Sequence, residues 1–192
     1  MGRERTESRK ARQGGRVWTA GHSNLELPDF LALLERHRIE RIADVRRFPA
    51  SRRHPRFASE PLSAALGASG IEHRWFEDLG GRRSGLGTGS PNQGIRNAGF
   101  RAYADHMQSP SFARAFEALE AWRAGGRTAL LCAEALWWRC HRRLLADLFV
   151  TRGVETIHIM PDGRQSAHEL WDLARTGPET LTYPPIQTGL AV

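Results

Sequence analysis

Cysteine, lysine and long apolar runs are all scarce in this sequence. Only two of its 192 residues are cysteine, which excludes a disulfide-stabilised scaffold and leaves free thiols, metal ligands or catalytic groups as possible roles. The longest apolar runs, residues 128–133 and 144–150, are far shorter than the about 20 residues that cross a bilayer. We therefore expect no membrane partner, and the chain length fits one domain with its own core.

The basic residues are almost all arginine, since Lys10 is the only lysine among the 28. Arginine makes bidentate contacts with phosphate, so the net charge of +7 fits a phosphate-bearing small molecule or a nucleic acid as partner. Genome composition alone can produce the same bias, and acidic neighbours such as Glu4 beside Arg3 would interrupt a continuous basic patch. No feature of the sequence indicates an oligomeric state.

The two ends of the chain differ from its middle. Residues 1–15 are polar and basic without periodicity, which predicts a disordered basic arm. They contain no apolar core segment and do not resemble a secretory signal peptide, so we expect a cytoplasmic protein. Three prolines after Thr176 predict an irregular C-terminal tail over 176–192. A single domain over 16–175 is predicted between these segments.

Short apolar runs alternate with amphipathic segments in this middle part. The runs predict strands at 17–20, 41–45, 71–76, 128–133 and 154–159. The amphipathic segments predict helices after Pro28 and at 60–68, 98–108, 111–124 and 138–152. This alternation predicts an α/β fold with three layers, in which a mostly parallel central sheet carries helices on both faces.

Polar and reactive side chains recur where three of the predicted strands end. Ligand clefts of open parallel sheets form outside the carboxyl ends of the strands, so we expect these residues to share one site. Each of them also has a plain structural reading, such as a turn hydrogen bond for His22. In chain order they are His22, Ser23, Asp44, Arg46, Ser51, Arg52, Cys132 and Glu134.

The densest reactive segment joins Cys132 to Cys140, His141 and Arg142. Cys140 falls in the opening turn of the predicted helix 138–152, where the helix dipole and neighbouring cations favour a thiolate. Zinc bound by both cysteines and a histidine is an alternative, although no cysteine pair has the spacing of about two to four residues found in structural zinc motifs. A third reading is that the two cysteines only pack at the strand end.

Five motifs follow one another along the chain, namely Thr19-Ala20-Gly21-His22-Ser23, Asp44-Val45-Arg46 with Pro49, Ser51 and Arg52, Leu79-Gly80-Gly81, Tyr103-Ala104-Asp105-His106-Met107, and Cys132-Ala133-Glu134 with Cys140-His141-Arg142. This set resembles the bacterial and archaeal domain of unknown function 488 over about residues 16–160. The resemblance implies a compact α/β domain and brings no established activity. Many relatives carry polar residues and a proline between the cysteines, whereas Leu136, Trp137 and Trp138 stand here.

Two functions from different classes remain open. The first is a small cytoplasmic enzyme that acts on a phosphate-bearing or nucleic-acid substrate and needs no cofactor, unless zinc binds the cysteines. Its catalytic candidates are Cys132 as nucleophile or redox thiol, Cys140, Glu134 and His22 for acid–base work, and Asp44 for orientation. Its anion or substrate ligands would be Ser23, Arg46, Ser51, Arg52, His141 and Arg142. The second is a non-catalytic module that binds nucleic acid or nucleotides and has structural cysteines.

Overall fold

A six-stranded sheet lies at the centre of the computed structural model, which describes residues 15–50, 54–177 and 180–185. Its strands are β1 (Arg16–Gly21), β2 (Arg41–Asp44), β3 (Glu72–Trp75), β4 (Thr128–Cys132), β5 (Glu155–Ile159) and β6 (Gln165–Ala167). They lie in the order β3-β2-β4-β1-β5-β6. In this order, each strand from β3 through β2, β4 and β1 to β5 pairs in parallel with the next, and β6 is antiparallel to β5. The predicted, mostly parallel sheet is confirmed.

Helices cover both faces of this sheet. They are α1 (Leu27–Arg36), α2 (Ser59–Ala68), α3 (Ala98–His106), α4 (Pro110–Arg123) and α5 (Arg142–Thr151). Leu131 of β4 packs with α1 and α2, whereas the preceding Leu130 packs with α3, α4 and α5. This alternation is what a strand between two helical layers requires, so the three-layer prediction is confirmed. In the described ranges, no helix combines the length and apolar character needed to cross a bilayer.

The carboxyl ends of the three central strands reach the same edge of the sheet. Gly21 of β1 is in register with Cys132 of β4, and Asp44 of β2 with Leu131. The amide of His22 extends the pairing by donating to the Cys132 carbonyl at 3.1 Å. The backbone therefore brings the residues that follow β1, β2 and β4 together, as the parallel topology predicts.

The helix after β4 begins later than the sequence predicts. Trp137–Arg139 form one 3-10 turn, and Cys140 is extended with φ −126° and ψ 151°. His141 is then the N-cap of α5. Cys140 therefore precedes the helix instead of lying in its opening turn, because the apolar Trp137 and Trp138 extend the sequence pattern without joining the helix.

The segment that follows β5 is more ordered than an irregular tail. A two-stranded ribbon pairs β7 (Arg175–Thr176) with β8 (Leu181–Thr182). Tyr183 is fully buried, and its amide donates to Asn92 Oδ1 at 2.9 Å. Part of the predicted tail is therefore packed against the domain. The predictions for residues 1–14, 178–179 and 186–192 lie outside the described residues.

Candidate active site at the carboxyl edge of the sheet

Two cysteines and a histidine converge where β4 ends. Nδ1 of His141 lies 3.5 Å from the Sγ atom of Cys140 and 4.0 Å from that of Cys132. The three atoms are all within 4.8 Å of one another, and all three residues are buried. The structure thus brings together two thiols that are eight positions apart in the sequence, and it adds an imidazole nitrogen directed at both sulfurs.

Arg142 lies directly behind this cluster and is only 1% exposed. Its Nε donates to the Cys140 sulfur at 3.4 Å, and its Nη2 donates to the carbonyls of Glu134 and Ala135. Within the described part of the chain no carboxylate forms an ion pair with this guanidinium. A buried cation is costly unless an anion compensates it, so the surroundings of Arg142 favour a thiolate at Cys140.

The two thiols differ in their affinity for a proton. Burial raises the pKa of Cys140, but the hydrogen bond from Cys132 and the charges of His141 and Arg142 more than offset this and hold the pKa well below its usual range. The hydrogen bond to Cys140, together with burial, raises the pKa of Cys132 well above its usual range. These opposite directions favour the thiolate at Cys140 over the thiolate at Cys132.

The orientation of the His141 ring is fixed from three sides. Its Nε2 donates to the Val45 carbonyl at 2.9 Å, and the ring centre lies 4.9 Å from that of Tyr103. Gly81 lies against the ring, since a Cβ atom at that position would be only 3.0 Å from Nδ1. The motif Leu79-Gly80-Gly81 is thus packed against the site at its last glycine.

A second cluster surrounds Asp44 at the end of β2. Arg46 donates from Nε to Asp44 Oδ1 at 2.8 Å and from Nη2 to Oδ2 at 2.5 Å. Its Nη1 donates to the Phe57 carbonyl at 2.7 Å and lies 3.4 Å from His22 Nε2. Asp44 is completely buried and Arg46 is 5% exposed. The Arg46 guanidinium is thus largely saturated by protein groups, which favours a structural role over the predicted anion contact.

His22 completes this second cluster as a neutral side chain. Its ring stacks on Phe57 with a centroid distance of 4.1 Å, and Nδ1 donates to the Ser23 carbonyl at 3.0 Å. Burial, followed by the charge of Arg46, lowers the pKa of His22 to about 4. The cluster around Cys140 and the cluster around Asp44 are linked through backbone groups such as the Val45 carbonyl, which accepts from His141. Among the described residues, no hydrogen bond joins a side chain of one cluster to a side chain of the other.

The other predicted site residues are placed less centrally. The side chain of Glu134 is exposed, and it is the backbone carbonyl of this residue that binds Arg142. A Cβ atom on Gly21 would overlap that carbonyl, which explains the glycine at the end of β1. Ser23 has a φ of 47° and donates its hydroxyl to Asn24. Ser51 and Arg52 lie outside the described residues.

The thiol cluster could hold a metal ion as well as a proton. Cys132, Cys140 and His141 offer two sulfur ligands and one nitrogen ligand, and these three buried atoms are close enough to share one ion. The backbone carbonyl that accepts from His141 Nε2 is the kind of partner that orients a metal-ligating imidazole.

Sequence reasoning missed a buried polar chain beneath the cluster. It consists of Thr19, His158, His168, Asp147 and Tyr183, all of which are buried. Two signals could have found it. His158 is a lone polar ring in the apolar strand β5, and Asp147 stands among the buried apolar residues of α5.

Comparison with known proteins supports the resemblance seen in the sequence. Searches of curated proteins and of solved structures found no match. The family described as "Domain of unknown function DUF488" matches residues 26–149, a stretch that includes β2, β4 and both cysteines. Because this match covers well over half of the sequence, the chain belongs to the DUF488 family.

Proposed function

We propose that this protein is a thiol-dependent enzyme whose nucleophile is the thiolate of Cys140. The observation that carries the proposal is the position of the Cys140 sulfur, 3.5 Å from His141 Nδ1 and 3.4 Å from Arg142 Nε. An imidazole and a guanidinium around one sulfur stabilise its anion, and the thiolate is the nucleophilic form of cysteine. The sequence favours Cys132 for this role, whereas the charges surround Cys140.

The neighbouring groups have distinct tasks in this proposal. When the Cys140 sulfur bonds to an electrophilic centre, the bond from that centre to its leaving group breaks, and the leaving group takes up a proton. That proton comes from the Nδ1 atom of a protonated His141, which lies beside both sulfurs. Cys132 keeps its own proton and hydrogen-bonds to the thiolate before the reaction. Arg142 holds the sulfur in place through Nε.

We propose a phosphate-bearing or nucleic-acid substrate on the basis of charge. The net charge of +7 favours anions. Because the guanidinium groups of Arg46 and Arg142 are occupied by protein acceptors, an anion needs other partners at this edge. Arg139 is exposed and immediately precedes Cys140, which makes it the described arginine best placed to meet an anionic substrate beside the thiolate.

Alkylation tests the nucleophile directly. We expect iodoacetamide at neutral pH to modify Cys140 at least about tenfold faster than free cysteine, because a larger fraction of its sulfur is ionised. Peptide mass mapping identifies the modified residue. The rate advantage of Cys140 over free cysteine should be larger for iodoacetate, which is an anion, than for iodoacetamide. Inorganic phosphate should slow the reaction of Cys140 with both reagents.

The matched controls are Cys140→Ser and Cys132→Ser. The first should abolish the fast reaction, and the second should leave a reactive Cys140. Fast modification that maps to Cys132 would contradict the assignment. Two inert thiols in the folded protein would argue for the non-catalytic nucleic-acid or nucleotide-binding module instead.

Zinc binding is a second candidate function, which the cluster of three buried ligand atoms and one of its two nitrogen-to-sulfur distances favour. A tetrahedral zinc ion with bonds of about 2.3 Å to sulfur and about 2.0 Å to nitrogen needs ligand atoms roughly 3.5 to 3.8 Å apart. The Nδ1 atom of His141 lies 3.5 and 4.0 Å from the two sulfurs. In this proposal Cys132, Cys140 and His141 bind zinc and leave a fourth position for water or substrate, as catalytic zinc sites do.

Cobalt(II) substitution separates the two candidates. If the cluster binds metal, adding Co²⁺ should produce a sulfur-to-cobalt charge-transfer band that zinc displaces, and metal should protect Cys140 from alkylation. Cys132→Ser should weaken binding at least about tenfold, in line with loss of a thiolate ligand. Absence of the band from a folded protein with reactive Cys140 would eliminate zinc and leave the thiol enzyme standing.

A further inference from the structure

The buried polar chain beneath the thiol cluster is continuous from Arg142 to Asp147. Arg142 Nη1 lies 3.5 Å from Thr19 Oγ1, which lies 2.8 Å from Nδ1 of His158. Nε2 of His158 lies 3.0 Å from Nδ1 of His168, whose Nε2 lies 2.8 Å from Asp147 Oδ1. The chain therefore runs from the first residue of α5 through β1 and β5 and returns to α5, and all of its members are buried.

With one hydrogen on each imidazole ring, the two ends of this chain set a single direction for its hydrogen bonds. A guanidinium only donates and a carboxylate only accepts, so Arg142 donates to Thr19 and His168 donates to Asp147. The Thr19 hydroxyl is then free to donate to His158 Nδ1, which leaves the His158 hydrogen on Nε2, facing His168. Every donor thus points from the buried cation towards the buried carboxylate.

The surroundings hold this arrangement rigidly. The indole of Trp137 stacks on the His158 ring at a centroid distance of 4.0 Å and an interplanar angle of 7°. Asp147 also accepts from the Trp171 amide at 2.9 Å and from the Tyr183 hydroxyl at 2.8 Å. Trp137 belongs to the loop between the two cysteines, so the same loop that carries Cys140 also fixes the imidazole at the middle of the chain.

We propose that Asp147, His168 and His158 are positioning residues that act through Thr19 to hold Arg142 against the Cys140 sulfur. This inference rests on the proposed thiol function and extends it to residues on α5, on β5 and directly after β6 that do not touch the sulfur. The guanidinium donates from three nitrogens: Nη2 is held by the carbonyls of Glu134 and Ala135, and Nε faces the Cys140 sulfur, which leaves Nη1. Thr19 supplies the acceptor for Nη1, and donation of its hydrogen to His158 keeps that hydrogen away from Arg142 and leaves its lone pairs available to the guanidinium.

Substitution of Thr19 tests the relay, because valine has the same shape without the hydroxyl and serine keeps the hydroxyl. We expect Thr19→Val to slow alkylation of Cys140 about tenfold, the effect of losing one buried hydrogen bond to a charged group. Thr19→Ser should stay within about twofold of the wild-type rate, since the hydrogen bond survives. Asp147→Asn should resemble Thr19→Val.

Nitrogen-15 NMR of the histidine rings gives a second measurement on the full-length protein. In the wild type, both His158 and His168 should carry hydrogen on Nε2, and Thr19→Val should alter the Nδ1 signal of His158 more than that of His168. If Cys140 of the wild type is reactive and is alkylated at the same rate in Thr19→Val and Thr19→Ser, this inference is overturned while the proposed function stands. Hydrogen on Nδ1 of wild-type His158 would overturn it as well. An inert wild-type Cys140 would overturn the proposed function, and this inference with it.

Discussion

Replacing Arg142 with leucine should lower the free energy of unfolding by about 3 to 5 kcal/mol, the range for removing one partner of a buried charge pair. The guanidinium is 1% exposed and is the donor to the Cys140 sulfur and to the Glu134 and Ala135 carbonyls. Leucine leaves these carbonyls without a donor and leaves the thiolate without its cation. Chemical denaturation gives the stability change, and the alkylation rate of Cys140 should fall in the same variant because its pKa rises.

Arg139→Leu is the matched control for this loss. Arg139 is exposed on the 3-10 turn that precedes Cys140, so its removal should change stability by less than about 0.5 kcal/mol. An Arg142→Leu protein as stable as Arg139→Leu, with unchanged thiol reactivity, would show that Arg142 does not compensate a charge at Cys140.

Replacing Asp44 with asparagine should destabilise the fold by a similar amount, about 3 to 5 kcal/mol, because Arg46 then becomes a buried cation without an anion. Asp44 is fully buried and binds two nitrogens of the Arg46 guanidinium. The same substitution should loosen His22, whose Nε2 faces Arg46 Nη1 at 3.4 Å. Denaturant midpoints for the variant and the wild type measure this effect.

The pH dependence of stability provides an independent check on Asp44. Burial alone would raise the pKa of Asp44, but the hydrogen bonds from Arg46 and His73 and the charge of Arg46 lower it. A carboxyl whose pKa is lower in the folded state stabilises the protein above its unfolded pKa of about 3.9, and that contribution is lost as the pH falls through the folded pKa. The wild type should therefore lose its advantage over Asp44→Asn in strong acid.

Asp162→Asn serves as the control for both measurements on Asp44. Asp162 pairs with Arg164 at 2.7 Å, and its side chain is 50% exposed, so solvent screening should leave the pair with little effect on stability. If Asp44→Asn proves as mild as Asp162→Asn at neutral pH, the buried pair at the end of β2 does not hold this edge together.

The overall fold could be predicted because its signals are local and repeated. Apolar runs such as 128–133 and the amphipathic pattern of 144–150 identify strands and helices without knowledge of contacts. The boundaries of an element are harder to predict where apolar residues adjoin it without belonging to it, as Trp137 and Trp138 do before α5. Strand β6 has no apolar face, since its three residues are exposed, and it therefore carries no pattern to detect.

The candidate site was only partly predictable for a related reason. Parallel topology correctly brings His22, Asp44 and Cys132 to one edge, but it does not tell which side chains face each other. The sequence predicts Arg46 and Arg142 as anion ligands because both lie near strand ends. Asp44 is two positions from Arg46, so their ion pair is an alternative that the sequence also offers, whereas the Glu134 carbonyl as partner of Arg142 becomes visible only in three dimensions. The members of the chain from Thr19 to Asp147 lie far apart in the sequence, and their only signals are the isolated polar residues His158 and Asp147 among buried apolar neighbours.

The ultraviolet absorbance of thiolate tests the central claim most directly, because it reports the charge on sulfur without any substrate or reagent. A pH titration of the wild type, Cys140→Ser and Cys132→Ser should show one thiolate already present in the wild type at neutral pH. We expect that absorbance to disappear in Cys140→Ser and to persist in Cys132→Ser. No thiolate in the folded wild type at neutral pH, or one that is lost with Cys132 and kept without Cys140, would contradict the account.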